Sequence, residues 1–165
     1  MKKLILISLL SLFLASCGSS RKTTETVVIG KGTTAVSSKR ISKVVNHAQT
    51  FKGTRYKFGG TDKRGMDCSG LVYTSYKSEN IELPRVSRDM AKKGIRIKLK
   101  EVQKGDLVFF KTNKNRNVIN HVGLVVESRS GDIQFIHSTS SRGVIVSSLD
   151  EKYWKNAFVE VRRII

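Results

Sequence analysis

Hydrophobic and polar positions follow two rhythms along this chain, a helical one first and a two-residue one in the second half. Ile41, Val44, Val45, Ala48 and Phe51 recur at three- and four-residue steps, which predicts a first helix over 41–51. Leu71, Val72 and Tyr76 repeat that spacing and predict a second helix over 68–77, with Asp67 placed as its N-cap. A short third helix is expected over 87–93, ended by Gly94. Beyond it, runs rich in β-branched and aromatic residues at 106–110, 118–126, 133–137, 144–146 and 158–164 read as strands. Turn-forming stretches around Asn113 to Asn115, Ser130 to Asp132 and Ser141 to Gly143 separate them. Helices followed by strands of hairpin length predict an α+β fold with an antiparallel sheet.

The N-terminus has a different character. Lys2 and Lys3 precede the apolar run 4–14 and then Leu14-Ala15-Ser16-Cys17, the charged, apolar and small-residue zones of an export signal. The run is too short for a stable membrane span. Leu-Ala-Ser-Cys resembles the bacterial lipobox, which implies cleavage behind Ser16 and a lipid on Cys17. Residues 1–16 are then a signal peptide and 17–38, rich in Ser, Thr, Gly and Lys, a flexible tether. Residues 39–165 suffice for one compact domain and not comfortably for two.

Only two cysteines are present, so acylation of Cys17 leaves Cys68 without a disulfide partner. A free thiol in an oxidising compartment is a liability unless it works. The 31 Lys and Arg against 13 Asp and Glu give a formal charge of +18, and loss of Lys2 and Lys3 leaves +16. Charge of that size implies anionic surroundings. No nucleic-acid motif appears and an exported chain does not meet nucleic acid, so cell wall or membrane headgroups fit better, a solvated surface with no specific partner being the bland alternative.

Cys68 falls in the first turn of the second helix, where the dipole and free backbone N–H groups favour a thiolate. Taken alone, a cysteine is more often simply a small buried hydrophobe, and it is the surrounding residues that reverse those odds. His121 opens one strand beside Gly123, which lets another chain approach closely, and His137 ends the next. Their sixteen-residue separation suits neighbouring strands of a hairpin. A cysteine peptidase needs a thiol, an imidazole to take its proton and a polar group to hold that imidazole in one tautomer; Cys68, His121 and His137 supply all three. Strand-end histidines are otherwise commonly solvated. Two histidines and one thiol without C-x-x-C spacing make a poor zinc signature, so neither metal nor cofactor is expected. His47 reads as a surface group and Asp106 as a turn residue rather than a catalytic acid.

Arg55-Tyr56-Lys57-Phe58-Gly59-Gly60, Asp67-Cys68-Ser69-Gly70-Leu71-Val72, Leu83-Pro84-Arg85-Val86-Ser87, Gly105-Asp106-Leu107-Val108-Phe109-Phe110, His121-Val122-Gly123 and His137-Ser138 together resemble the NlpC-type cell-wall cysteine peptidases, in that family's order and from about Ile41 to the C-terminus. The resemblance implies a papain-like core and hydrolysis of peptide bonds in peptidoglycan stems, at the D-Glu–diaminopimelate or the cross-link bond. It implies Cys68 as nucleophile, His121 as general base, His137 as its orienter, and Tyr56, Asp67, Ser69, Arg85 and Ser87 along the substrate groove. An arginine there suits a D-glutamate carboxylate, and an aspartate a free amine. With no added wall-binding or SH3-like domain in the chain, the groove need not demand a free stem N-terminus. A monomeric endopeptidase, lipid-anchored on the periplasmic side of the outer membrane, is the resulting expectation. A non-catalytic wall-binding lipoprotein, and an amidase or acyltransferase using the same three residues, stand beside it.

Overall fold

The computed structural model describes residues 31–165 except 114, 116 and 130. The expected signal peptide, Cys17 and most of the expected tether lie outside the described residues. Helix α1 (Lys31–Gln49) begins upstream of the expected residue 41 and takes in the last eight positions assigned to the tether. No proline interrupts this stretch, so backbone hydrogen bonding carries the helix back through Ser and Thr residues that show no apolar stripe. The apolar face itself is as expected: Val44, Val45 and Ala48 are fully buried, and Phe51 is buried just past the helix end.

Strands β1 (Thr61–Asp62) and β2 (Gly65–Met66) form a small hairpin leading into helix α2 (Cys68–Lys77). Asp67 caps α2, its Oδ1 accepting the Gly70 N–H at 2.6 Å. Gly70 is required by packing, because a Cβ there would collide with the Gly60 carbonyl and sit 3.0 Å from Arg85 Nη2. Helix α3 (Ser87–Met90) is shorter than predicted. Its backbone leaves the helix before Gly94, which adopts a φ of 65° that glycine alone takes without strain.

Strands β3 (Ile95–Ile97), β4 (Leu107–Phe110), β5 (His121–Arg129), β6 (Asp132–Thr139), β7 (Gly143–Ser148) and β8 (Phe158–Arg163) build one antiparallel sheet in the order β3-β8-β4-β5-β6-β7. A short helix α4 (Lys152–Ala157) joins β7 to β8. Further features depart from expectation. The strand expected from 118 starts at His121, because Asn120 ties its loop to Thr112 through both ends of its amide. The three-residue β3 and six-residue α4 are too short to carry a periodic signal, and the β1–β2 hairpin is shorter still.

The sheet divides the core in two. Leu107, Phe109, Val122, Leu124 and Ile136 face α1 and α2, whereas Val108, Phe110, Val125, Phe135 and Trp154 pack together on the opposite face. This is the two-residue alternation of a strand buried on both sides. Behind the sheet Asp106 is a buried turn residue, as expected, and carries an anchoring role besides: it accepts both the Gln103 N–H and a two-pronged contact from Arg163 at 2.8 Å.

Candidate active site

Antiparallel register decides where the histidines meet. Leu124 pairs with Ile136, and extending that register sets Gly123 opposite His137 and places His121 on the adjacent diagonal. The two imidazoles lie on one face, with His121 Nε2 and His137 Nδ1 2.9 Å apart. Gly123 leaves room for the Phe135 ring, which a Cβ would strike. The expected adjacency of the two histidines is therefore present in the fold.

Their surroundings are aromatic. Trp154 stacks on His121 at 5.2 Å and meets His137 edge-on at 4.6 Å, while Phe110 and Phe135 close the other sides. Burial pushes the His121 imidazole down to about 4 and lowers His137 further, with the neighbouring His121 and Arg142 charges adding to the effect. Both rings rest neutral. His137 is fully buried and its Nε2 has no hydrogen-bond partner among the described residues.

Cys68 comes from the first turn of α2 and meets the start of β5 at the Val122 N–H. There it lines, with Tyr56, His121 and Trp154, an open cavity of about 420 Å³. Backbone N–H groups of Val122, Ser69 and Cys68 itself favour the thiolate, yet burial, joined by the Asp67 charge, outweighs them and raises the thiol above its usual range. This corrects the expectation of a resting thiolate at the helix N-terminus. Desolvation of a whole sulfur competes with a few N–H dipoles, and desolvation prevails. The Tyr56 phenol is likewise raised, by burial and then by the nearby Cys68 and Asp67 charges, so it stays protonated at neutral pH.

Asp67, Ser69 and Arg85 form a network beneath the sulfur rather than a wall of that cavity. Arg85 Nη1 donates to Asp67 Oδ1 and to Ser69 Oγ, both at 2.9 Å, and Nη2 donates to Asp67 Oδ2 at 2.9 Å and to the Gly60 carbonyl at 3.2 Å. Asp67 also accepts the Gly59 N–H at 2.8 Å. Burial alone would raise the Asp67 carboxyl, but the bonds from Arg85, Gly70 and Gly59 with the Arg85 charge hold it below its usual range. Both Nη groups of Arg85, expected to meet a substrate carboxylate, already have acceptors within the protein. Ser87 lies buried in the first turn of α3, outside the network and the cavity. His47, expected at the surface, is half-buried against Phe51 at 5.2 Å.

The NlpC/P60 family model matches residues 53–163, from the loop before Tyr56 through the whole sheet. The chain belongs to the NlpC/P60 family. A probable endopeptidase NlpC homolog of Haemophilus influenzae is 42% identical over 128 residues, spanning 77% of this chain and 63% of its own. The murein DD-endopeptidase MepS/murein LD-carboxypeptidase of Escherichia coli K12 is 35% identical over 125 residues, spanning 75% of this chain and 63% of its own. The chain thus covers somewhat less than two thirds of these relatives. The crystal structure of a NlpC/P60 family protein from Bacillus cereus superposes with a TM-score of 0.68 at 30% identity, over 74% of this chain and 39% of that one. This NlpC/P60 domain thus has the expected mixed fold of helices against an antiparallel sheet. Trp154, the chain's one tryptophan, is the site residue that sequence reasoning missed. Its rarity was the available signal, but no local motif tied it to the histidines.

Proposed function

We infer that this NlpC/P60 protein is a peptidoglycan hydrolase, a cysteine endopeptidase acting on stem peptides. The observation that carries the reading is the 2.9 Å contact between two buried neutral imidazoles at the edge of the cavity that Cys68 lines. With His121 Nε2–H donating to His137 Nδ1, the Nδ1 of His121 keeps a free lone pair. A proton on Nδ1 instead would leave no base, so the peptidase chemistry requires the tautomer in which His137 Nδ1 accepts.

As the Cys68 sulfur attacks a carbonyl carbon, its proton passes to His121 Nδ1. The backbone N–H groups around the sulfur and the protonated Tyr56 phenol are donors for the developing oxyanion. The imidazolium then protonates the leaving amine, giving a thioester, and His121 removes a proton from the water that hydrolyses it. Asp67, Ser69 and Arg85 act as one braced unit that shapes the groove beside the nucleophile.

The murein endopeptidase relative supports peptidoglycan as substrate, with the D-Glu–diaminopimelate or cross-link bond cleaved. Anchoring by a lipid on Cys17 and residence at the outer membrane belong to the same proposal, supported by the Leu14-Ala15-Ser16-Cys17 sequence. Among the described residues no helix is long and apolar enough to cross a membrane. The test is product analysis on defined muropeptides with wild type, Cys68→Ala and His121→Ala. Peptide-bond cleavage that disappears in both variants is expected. Release of an amide or a transferred acyl group, or cleavage surviving in Cys68→Ala, overturns the reading.

A further inference from the structure

The cavity beside Cys68 has charges that the peptidase chemistry does not use. Asp67, Ser69 and Arg85 do not line it; it extends instead past His121 and Trp154 to the β6–β7 turn and the start of α4. An imidazole that protonates a leaving amine must touch that amine, so the space beyond His121 receives the leaving fragment. Two residues of opposite charge line this space, Arg142 on the turn and Glu151 ahead of α4. They form no ion pair with each other. Each is held by its own element: the Arg142 N–H donates to Thr139 Oγ1 at 3.0 Å, and Glu151 Oε1 accepts the Ser148 N–H at 3.0 Å. The turn bearing Arg142 is itself pinned, because the Val144 N–H donates to the Thr54 carbonyl and the Gly53 N–H to the Val144 carbonyl, both at 2.9 Å.

Strand β7 and the two residues after it, 143–150, separate Arg142 from Glu151, so the cavity has a cationic end and an anionic end rather than a neutralised pair. The remaining lining is neutral and polar, from Thr112, Asn120 and Ser138 to Ser141. A leaving fragment of a single charge would meet one favourable and one unfavourable end. A fragment with both signs, spaced apart, meets two favourable ends. The guanidinium also lies close enough for its charge to help keep His137 neutral.

The geometry points to a leaving-fragment site in which Arg142 binds a free carboxylate and Glu151 a free side-chain ammonium, so that the enzyme selects the open end of an uncross-linked stem. Such an end is a dibasic residue with an unacylated side-chain amine followed by a free C-terminus. Cross-linking acylates that amine and removes the partner of Glu151. The proposal rests on the peptidase reading of the same site and adds which substrates it takes.

The experiment uses three synthetic stem peptides: one with free side-chain amine and free C-terminus, one with the C-terminus amidated, and one with the side-chain amine acetylated. In wild type each modification is expected to lower kcat/KM about tenfold, the lower range for a charge-assisted contact. Arg142→Ala should bring the carboxylate-to-amide ratio close to one and retain the amine-to-acetyl ratio. Glu151→Gln, which keeps the acceptor for Ser148, should do the reverse, and Arg142→Lys should recover part of the carboxylate preference. Ratios near one in wild type, ratios that persist in the variants, or equal losses on all three peptides overturn the proposal. The same ratios measured as Kd by calorimetry in Cys68→Ala decide it without turnover. Cleavage of none of the peptides by wild type, with the Kd ratios intact, would instead refute the peptidase reading alone.

Discussion

At the residue scale the site is built from neutral groups. A half-buried thiol raised by desolvation and a His121 lowered to about 4 make a neutral resting pair, and in the proposed mechanism charge separation is deferred until a carbonyl is in place. Alkylation of Cys68 by a small reagent should therefore keep accelerating as pH rises beyond the range of an ordinary thiol, when followed by mass spectrometry. A rate already at plateau near pH 7 would show a resting thiolate and contradict the neutral pair. The histidines have a second consequence. His121 binds its proton at about pH 6.5 when unfolded and only near 4 when folded, so between those values the unfolded state holds more protons and stability rises with pH. A shift of that size is worth roughly 3 kcal/mol, gained on going from pH 4 to 7 and lost on acidification. Chemical denaturation across that window checks it. Trp154→Ala should weaken the effect by hydrating the rings, besides costing about 3–5 kcal/mol for the lost aromatic volume.

At the scale of elements, the start of α2 is held by one braced junction. Asp67 caps the helix, pairs with Arg85 and accepts the Gly59 N–H, while the Gly60 carbonyl packs on Gly70. Arg85→Ala leaves the Asp67 carboxylate poorly paired and should destabilise the protein by about 1–3 kcal/mol, read as a lowered denaturation midpoint. A direct contact between Arg85 and a substrate carboxylate predicts lost activity with unchanged stability, so the two roles separate in one variant. The sign of the pH dependence follows from the lowered Asp67 carboxyl: its contribution is complete above the ordinary carboxylate range and is lost as pH falls through the depressed value. Arg85→Ala should flatten this acid limb. Gly70→Ala drives a methyl into the Gly60 carbonyl and should cost about 1–3 kcal/mol, with Cys68 displaced along with its helix.

At the scale of the whole molecule, 31 cationic side chains against 13 acidic ones, 29 against 13 once Lys2 and Lys3 leave with the expected signal, suit long-range attraction to an anionic surface, and the proposed lipid on Cys17 would add attachment. The two separate experimentally. Metabolic labelling with a fatty-acid analogue should tag wild type and not Cys17→Ser; label retained in the variant refutes the lipid site. Sedimentation of the chain from 17 onwards, without lipid, with purified cell wall should weaken steeply between low and physiological salt, since the Debye length shrinks to about 8 Å. Binding indifferent to salt would place wall affinity in the groove and not in the surface charge.

Local pattern alone placed α2 with its Asp67 cap, the apolar face of α1 and the β-rich second half, and it singled out Cys68, His121 and His137 as candidates. Periodicity, capping chemistry and turn residues act over a few positions, and the ordered motifs brought the family with them. What required the fold were the features set by contacts between distant segments. Register places His121 diagonal to His137, α4 lays Trp154 over both rings, and Arg85 reaches 18 residues back to Asp67. The protonation states belong to the same class. An N-terminal helical turn argues for a thiolate from sequence, whereas desolvation depends on every chain packed around the sulfur, and only the tertiary structure assembles them.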